Sequence, residues 1–86
     1  MNGDKFATIA YFWQLAMQHG GLWAGLGIVP RNKKESTRDS LNYVGGLGGL
    51  MTTSPADASP AEVPAGDLQT ARAFGERLQG ALKLLA

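Results

Sequence analysis

The chain predicts an α/β fold in which two amphipathic helices pack on a short sheet, and three observations carry that expectation. Apolar residues recur at three- and four-residue spacing through residues 4–19, residues 22–29 are apolar on both alternating faces, and residues 67–85 hold a second helical stripe to the end. The 86 residues supply one domain at most, and below about 100 residues a single core offsets chain entropy only narrowly. Completion by self-association is therefore part of the expectation.

The first helix opens after Asn2 or Asp4, either of which can cap it, and Asp4 also suits the positive end of the helix dipole. Phe6, Ile9, Ala10, Trp13, Ala16 and Met17 form its buried face. Tyr11 and Phe12 fall outside that stripe and point to a neighbouring element or subunit. Gly20 supplies the left-handed residue that ends the helix, and Gly21 frees the turn that follows.

Residues 22–29, interrupted by Gly25 and Gly27 and closed by Pro30, are expected to be a strand covered on both sides. Residues 30–66 form a loop region. Arg31, Lys33, Lys34 and Arg38 are interleaved with Glu35 and Asp39 in a solvated loop, residues 41–44 suit a short strand or a turn, and residues 45–51 are too glycine-rich for a helix. Pro55, Pro60 and Pro64 mark an extended surface connection in which Asp57 and Glu62 are solvated. The second helix spans 67–85, with Asp67 as its cap, Leu68, Ala71, Phe74 or Gly75, Leu78, Ala81 or Leu82, and Leu85 on the stripe, and Lys83 at the cation-favouring end.

Composition excludes several classes of function. A net charge of +1 with one interrupted basic cluster argues against a nucleic-acid partner. No apolar segment reaches the roughly 20 residues that span a bilayer, and no secretory signal is present, so the expectation is a cytoplasmic protein without a membrane partner. The absence of cysteine removes disulfides, thiolate metal sites and a cysteine nucleophile, and fits a reducing compartment. His19 is the only histidine, and one imidazole makes no metal site. Residues 45–49 do not complete a dinucleotide fingerprint, because that pattern would need glycine where Met51 stands. No catalytic residue is assigned.

Three blocks carry a family resemblance: Gly3-Asp4 with Thr8-Ile9 and Trp13; His19-Gly20-Gly21-Leu22; and Asp67-Leu68 with Ala71-Arg72 and Phe74-Gly75-Glu76. In order and spacing they resemble the C-terminal part of the flavodoxin-like NAD(P)H:quinone oxidoreductases, the Trp-repressor-binding-protein family. The resemblance implies a partial flavodoxin-like fold and FMN as cofactor, with NAD(P)H and quinone as partners only in a completed fold. It makes Gly3 and Asp4 the tail of a glycine-rich flavin loop, and His19 a residue beside the flavin pyrimidine edge. It also places Gly75 where a helix backbone closely approaches a sheet. The implied function is that of a portion of a quinone reductase that is not catalytic by itself, needing either other copies of the chain or a missing N-terminal half. The alternative is a non-enzymatic self-associating α/β module or truncated remnant.

Overall fold

A computed structural model of the chain describes residues 3–85. Its regular elements are α1 (Lys5–Gln18), a 3-10 turn at Pro60–Glu62, and α2 (Ala65–Leu85). The molecule measures 38 × 25 × 24 Å with a radius of gyration of 14.1 Å, against about 12 Å for a compact domain of this length. The elongation has a simple origin: α1 and α2 do not pack on each other, and long irregular segments lie between them.

α1 contains no residue from the strongly helix-breaking classes, and it stops where expected. Gly20 adopts φ +73°, and the N–H groups of Gly20 and Gly21 return to the carbonyls of Met17 and Ala16 at 3.1 and 2.8 Å. This wrapping satisfies carbonyls that the helix leaves unpaired. α2 begins two residues before the expected start, directly after Pro64, whose carbonyl accepts the N–H groups of Asp67 and Leu68. Asp67 is therefore not the cap of α2 but lies within its first turn, which frees its carboxylate for the loop.

Among the described residues there is no strand, so the α/β expectation with its sheet is overturned. A strand exists only where a neighbour completes its ladder. Within residues 22–29 the N–H of Leu26 reaches the carbonyl of Leu47 at 3.0 Å. The carbonyls of Gly25 and Ile28 are instead taken by the side chains of Arg77 and Asn42. Gly27 at φ +71° turns the backbone out of the β region altogether. Only part of the expected two-sided cover is present: Leu26 is fully buried, while Leu22 and Val29 are 78% and 80% exposed. Residues 41–44, open to two readings in the sequence, form a turn.

Leu26 is the buried hydrophobic side chain of the described core, and its buried companions are polar: Asn42, Asp67 and Thr70. The interior is thus a hydrogen-bonded lattice around one leucine, with every buried side-chain nitrogen and oxygen of the described residues paired. The apolar stripes are largely uncovered. α1 has no buried residue, and Leu68, Leu82 and Leu85 of α2 are exposed.

Candidate functional site

The site is organised by Asn42. Its backbone sits at φ +51°, a left-handed conformation that Asn tolerates better than most residues. From there its amide donates to the carbonyls of Ile28 and Gly46 at 2.7 and 2.9 Å and accepts the N–H of Gly46 at 3.1 Å. Its own N–H donates to Thr70 Oγ1 at 2.9 Å, and that hydroxyl donates onward to the Gly66 carbonyl at 2.7 Å. One residue therefore joins residues 22–29 and the glycine-rich segment through its side chain, and α2 through its backbone N–H.

The glycine-rich segment is tight because it must be. A Cβ at Gly46 would lie 2.6 Å from the Gly49 carbonyl oxygen, and one at Gly49 would lie 3.0 Å from Ile9 Cδ1. The segment therefore brings bare backbone against α1, and Trp23 Nε1 pins it by donating to the Gly48 carbonyl at 2.9 Å. Beside this contact lies an open depression of about 570 Å³, lined by Gly3, Lys5, Phe6, Val44, Gly45, Leu47, Met51 and Thr53.

Thr53 ties that depression to the principal charge cluster. Arg38 reaches both oxygens of Asp67, Nη1 to Oδ1 at 2.8 Å and Nη2 to Oδ2 at 2.7 Å, and also donates to the Thr53 carbonyl at 2.7 Å. Asp67 Oδ2 accepts the Thr52 hydroxyl at 2.6 Å and the Thr53 N–H at 3.1 Å. Burial by itself would push the Asp67 carboxyl up. The hydrogen bonds from Arg38, Thr52 and Thr53 outweigh it and hold the group down to about 2. Arg38 is thus not part of a wholly solvated loop: it is half-buried, paired, and 5.7 Å from the Tyr43 ring centroid.

The residues singled out by sequence are not gathered at one place. Gly3 lines the depression, and Asp4 sits between two lining residues at the N-cap position of α1, where its side chain makes no capping hydrogen bond. Asn2, the other candidate cap, lies outside the described residues. His19 is exposed at the C-terminal end of the same helix, about 22 Å away at a rise of 1.5 Å per residue. Gly75 meets no backbone within 4 Å, contrary to the close approach the resemblance implies. Thr53, Lys5 and Met51 join the site without having been singled out for it; the glycine-rich run was the one signal that could have located them.

Among the described residues no group of three His, Cys, Asp or Glu side chains could hold a metal ion. Nor, among them, is any helix long and apolar enough to cross a membrane.

Comparison with known proteins places this geometry in context. The chain is similar to flavodoxin FldP of Pseudomonas aeruginosa (strain UCBPP-PA14), 38% identical over 78 residues. The match takes in 91% of this chain and 42% of the relative, so the chain spans less than half the length of the protein it matches. This likeness supports a flavodoxin-like family and does not reach down to the quinone oxidoreductases. No family model matches the chain. No solved structure matches it either.

Proposed function

We propose that the chain is the C-terminal portion of a flavodoxin-like FMN flavoprotein, serving electron transfer from NAD(P)H to a quinone once the rest of a flavodoxin-length polypeptide is supplied. The observation that carries this reading is the 38% identity to a flavodoxin over nearly the whole chain. A flavodoxin as relative is in line with FMN as the cofactor.

The described residues fit one part of FMN and not another. The depression beside Gly3 has mostly apolar walls with Lys5 and Thr53 as polar groups, which suits the edge of a planar ring. Of the three residues put forward for flavin, its position favours Gly3 and Asp4 over His19. A phosphate calls for free backbone amides and positive potential at a helix N-terminus. Here Asp4 occupies the N-cap of α1, while Asp39 and the ion-paired Asp67 crowd the start of α2. The described residues therefore do not fit the phosphate.

Flavin fluorescence tests the reading. FMN titrated into the chain alone should keep its emission, whereas the chain mixed with a separately expressed N-terminal flavodoxin-like segment should quench it. Gly3→Val should weaken that quenching without loss of fold, because a Cβ at Gly3 meets nothing within 4 Å. Failure of the mixture to bind FMN would reject the flavoprotein reading, and tight binding by the chain alone would reject the view that it is only a portion. A second reading, a non-catalytic self-associating module, is favoured by the poor fit to phosphate and by the uncovered apolar faces.

A further inference from the structure

Residues 22–28 run beside the C-terminal half of α2, and the space between them is a groove. Two open recesses of about 620 and 710 Å³ share Ala24, Ala81 and Leu84 in their walls and so continue into one another. Ala73, Arg77, Gly80, Ala81 and Leu84 follow the three-four spacing of one helix face, and the small residues among them keep the floor low. At one end stands Arg77, the charged side chain of the lining. Its Nε donates to the Gly25 carbonyl at 2.9 Å. The guanidinium covers the bare backbone of Gly27, where a Cβ would lie 2.4 Å from Cζ and 2.7 Å from Nη1. Arg77 is thereby held in place, while its two Nη groups make no hydrogen bond or ion pair with any described residue.

We infer that this groove binds a single-chain carboxylate amphiphile, a fatty acid of medium length, with its carboxylate on the Arg77 Nη groups and its hydrocarbon tail toward Leu85. The inference does not rest on flavin binding. Charge complementarity selects the head group: a planar guanidinium with two outward nitrogens matches a carboxylate through two parallel N–H···O bonds. Beyond Arg77 the groove calls for nothing polar. Its far walls are Leu22, Trp23, Leu78, Leu82 and Leu85, and Trp23 Nε1 is already committed to the Gly48 carbonyl at 2.9 Å. From Arg77 to Leu85 the groove follows α2 for about 12 Å at a rise of 1.5 Å per residue, which suits a tail of medium length.

A polypeptide segment is the poorer occupant. Each of its residues would carry a backbone N–H and C=O into apolar walls, where they are costly unless paired. The groups it would pair with on residues 22–28 are partly taken. The Leu26 N–H is bound to the Leu47 carbonyl, and the carbonyls of Gly25 and Ile28 are bound by Arg77 and Asn42. A hydrocarbon tail makes no such demand.

Isothermal titration of the chain with decanoate, kept below its micelle-forming concentration, tests the site, with decanol as the neutral control. Saturable binding of decanoate is expected, tighter than that of octanoate by up to about fourfold per methylene. Trp13→Phe leaves Trp23 as the remaining indole, and its emission should move to the blue as the tail enters. Arg77→Gln should weaken decanoate about tenfold through loss of the charge-assisted pair and leave decanol unchanged. Gly80→Leu keeps the Arg77 contact with Gly25 and fills the floor instead. A Cβ at Gly80 meets nothing within 4 Å, so this variant should retain its helical circular dichroism and lose both ligands. Absence of saturable decanoate binding, equal loss of both ligands in a folded Arg77→Gln, or undiminished binding in Gly80→Leu would each overturn the site. Displacement of decanoate by a separately expressed N-terminal flavodoxin-like segment would overturn it too, by giving the groove to polypeptide.

Discussion

Arg38 and Asp67 meet through two parallel N–H···O contacts of 2.8 and 2.7 Å across 29 positions of sequence. The pair fixes the charged loop to the first turn of α2, and through Thr52 and Thr53 it carries the rim of the depression with it. A carboxylate that accepts four hydrogen bonds while nearly inaccessible is costly to alter, because an amide in its place takes the counter-charge from the guanidinium and sets an N–H donor where one oxygen had accepted. Asp67→Asn is expected to lower unfolding stability by about 1–3 kcal/mol, the lower part of the range applying because Arg38 keeps some contact with water. Urea denaturation measures it; a midpoint unchanged from the parent would show that the pair does not hold the loop.

The same pair gives stability a defined acid limb. Asp67 has its carboxyl held at about 2 against the ordinary 3.8 of an aspartate, so the unfolded chain takes up the proton first as pH falls. A depressed folded value means that the contribution is complete above about pH 4 and is lost as pH drops through about 2. The loss amounts to about 2 kcal/mol from this group. Urea midpoints collected between pH 7 and pH 2 should fall in that window for the parent chain and fall less in Asp67→Asn. Parallel curves for the two would refute the assignment.

Asn42 makes a sharper chemical test, since its amide donates twice and accepts once. Asn42→Asp preserves shape and tolerance of φ +51° but turns both donors into an acceptor facing the carbonyls of Ile28 and Gly46. It should be more damaging at neutral pH than in mild acid, where the protonated carboxyl recovers one donor. Asn42→Gly relieves the backbone and loses every side-chain bond, and should cost about 1–3 kcal/mol at any pH. Thermal melts at two pH values distinguish them, and equal pH dependence in the two variants would count against the donor role.

Helix positions were legible in the sequence because their signal is local: the three-four spacing of Phe6, Ile9 and Trp13 and the glycine at 20 lie within one segment. Residues 22–29 misled for the complementary reason. Apolar alternation describes what a strand would bury, but not whether a neighbouring strand exists, and here the side chains of Asn42 and Arg77 take carbonyls that a neighbour would have used. The polar lattice has no local signature in the sequence, because Asn42, Thr70, Arg38 and Asp67 are brought together over spans of 28 and 29 residues with no motif linking them. Arg38 in particular looked solvated, since Lys33, Lys34, Glu35 and Asp39 around it set a local charge pattern.

Two glycines of one helix should respond in opposite directions to the same substitution. Gly66 is buried, and a Cβ there would lie 2.6 Å from the Asp39 carbonyl carbon and 2.8 Å from its Cα. Neither can swing aside, because both belong to backbone next to the Arg38 anchor. Gly66→Ala should therefore separate α2 from the loop and destabilise despite the better helix propensity of alanine. A Cβ at Gly75 meets nothing within 4 Å, so Gly75→Ala should stabilise by about 0.5–1 kcal/mol, the ordinary gain from removing glycine inside a helix. Thermal melts of the two variants at equal concentration make the comparison. A loss of stability in Gly75→Ala would mean that this face of α2 lies against another backbone in solution, the arrangement the family resemblance implied, and the isolated helix surface described above would then have to be redrawn.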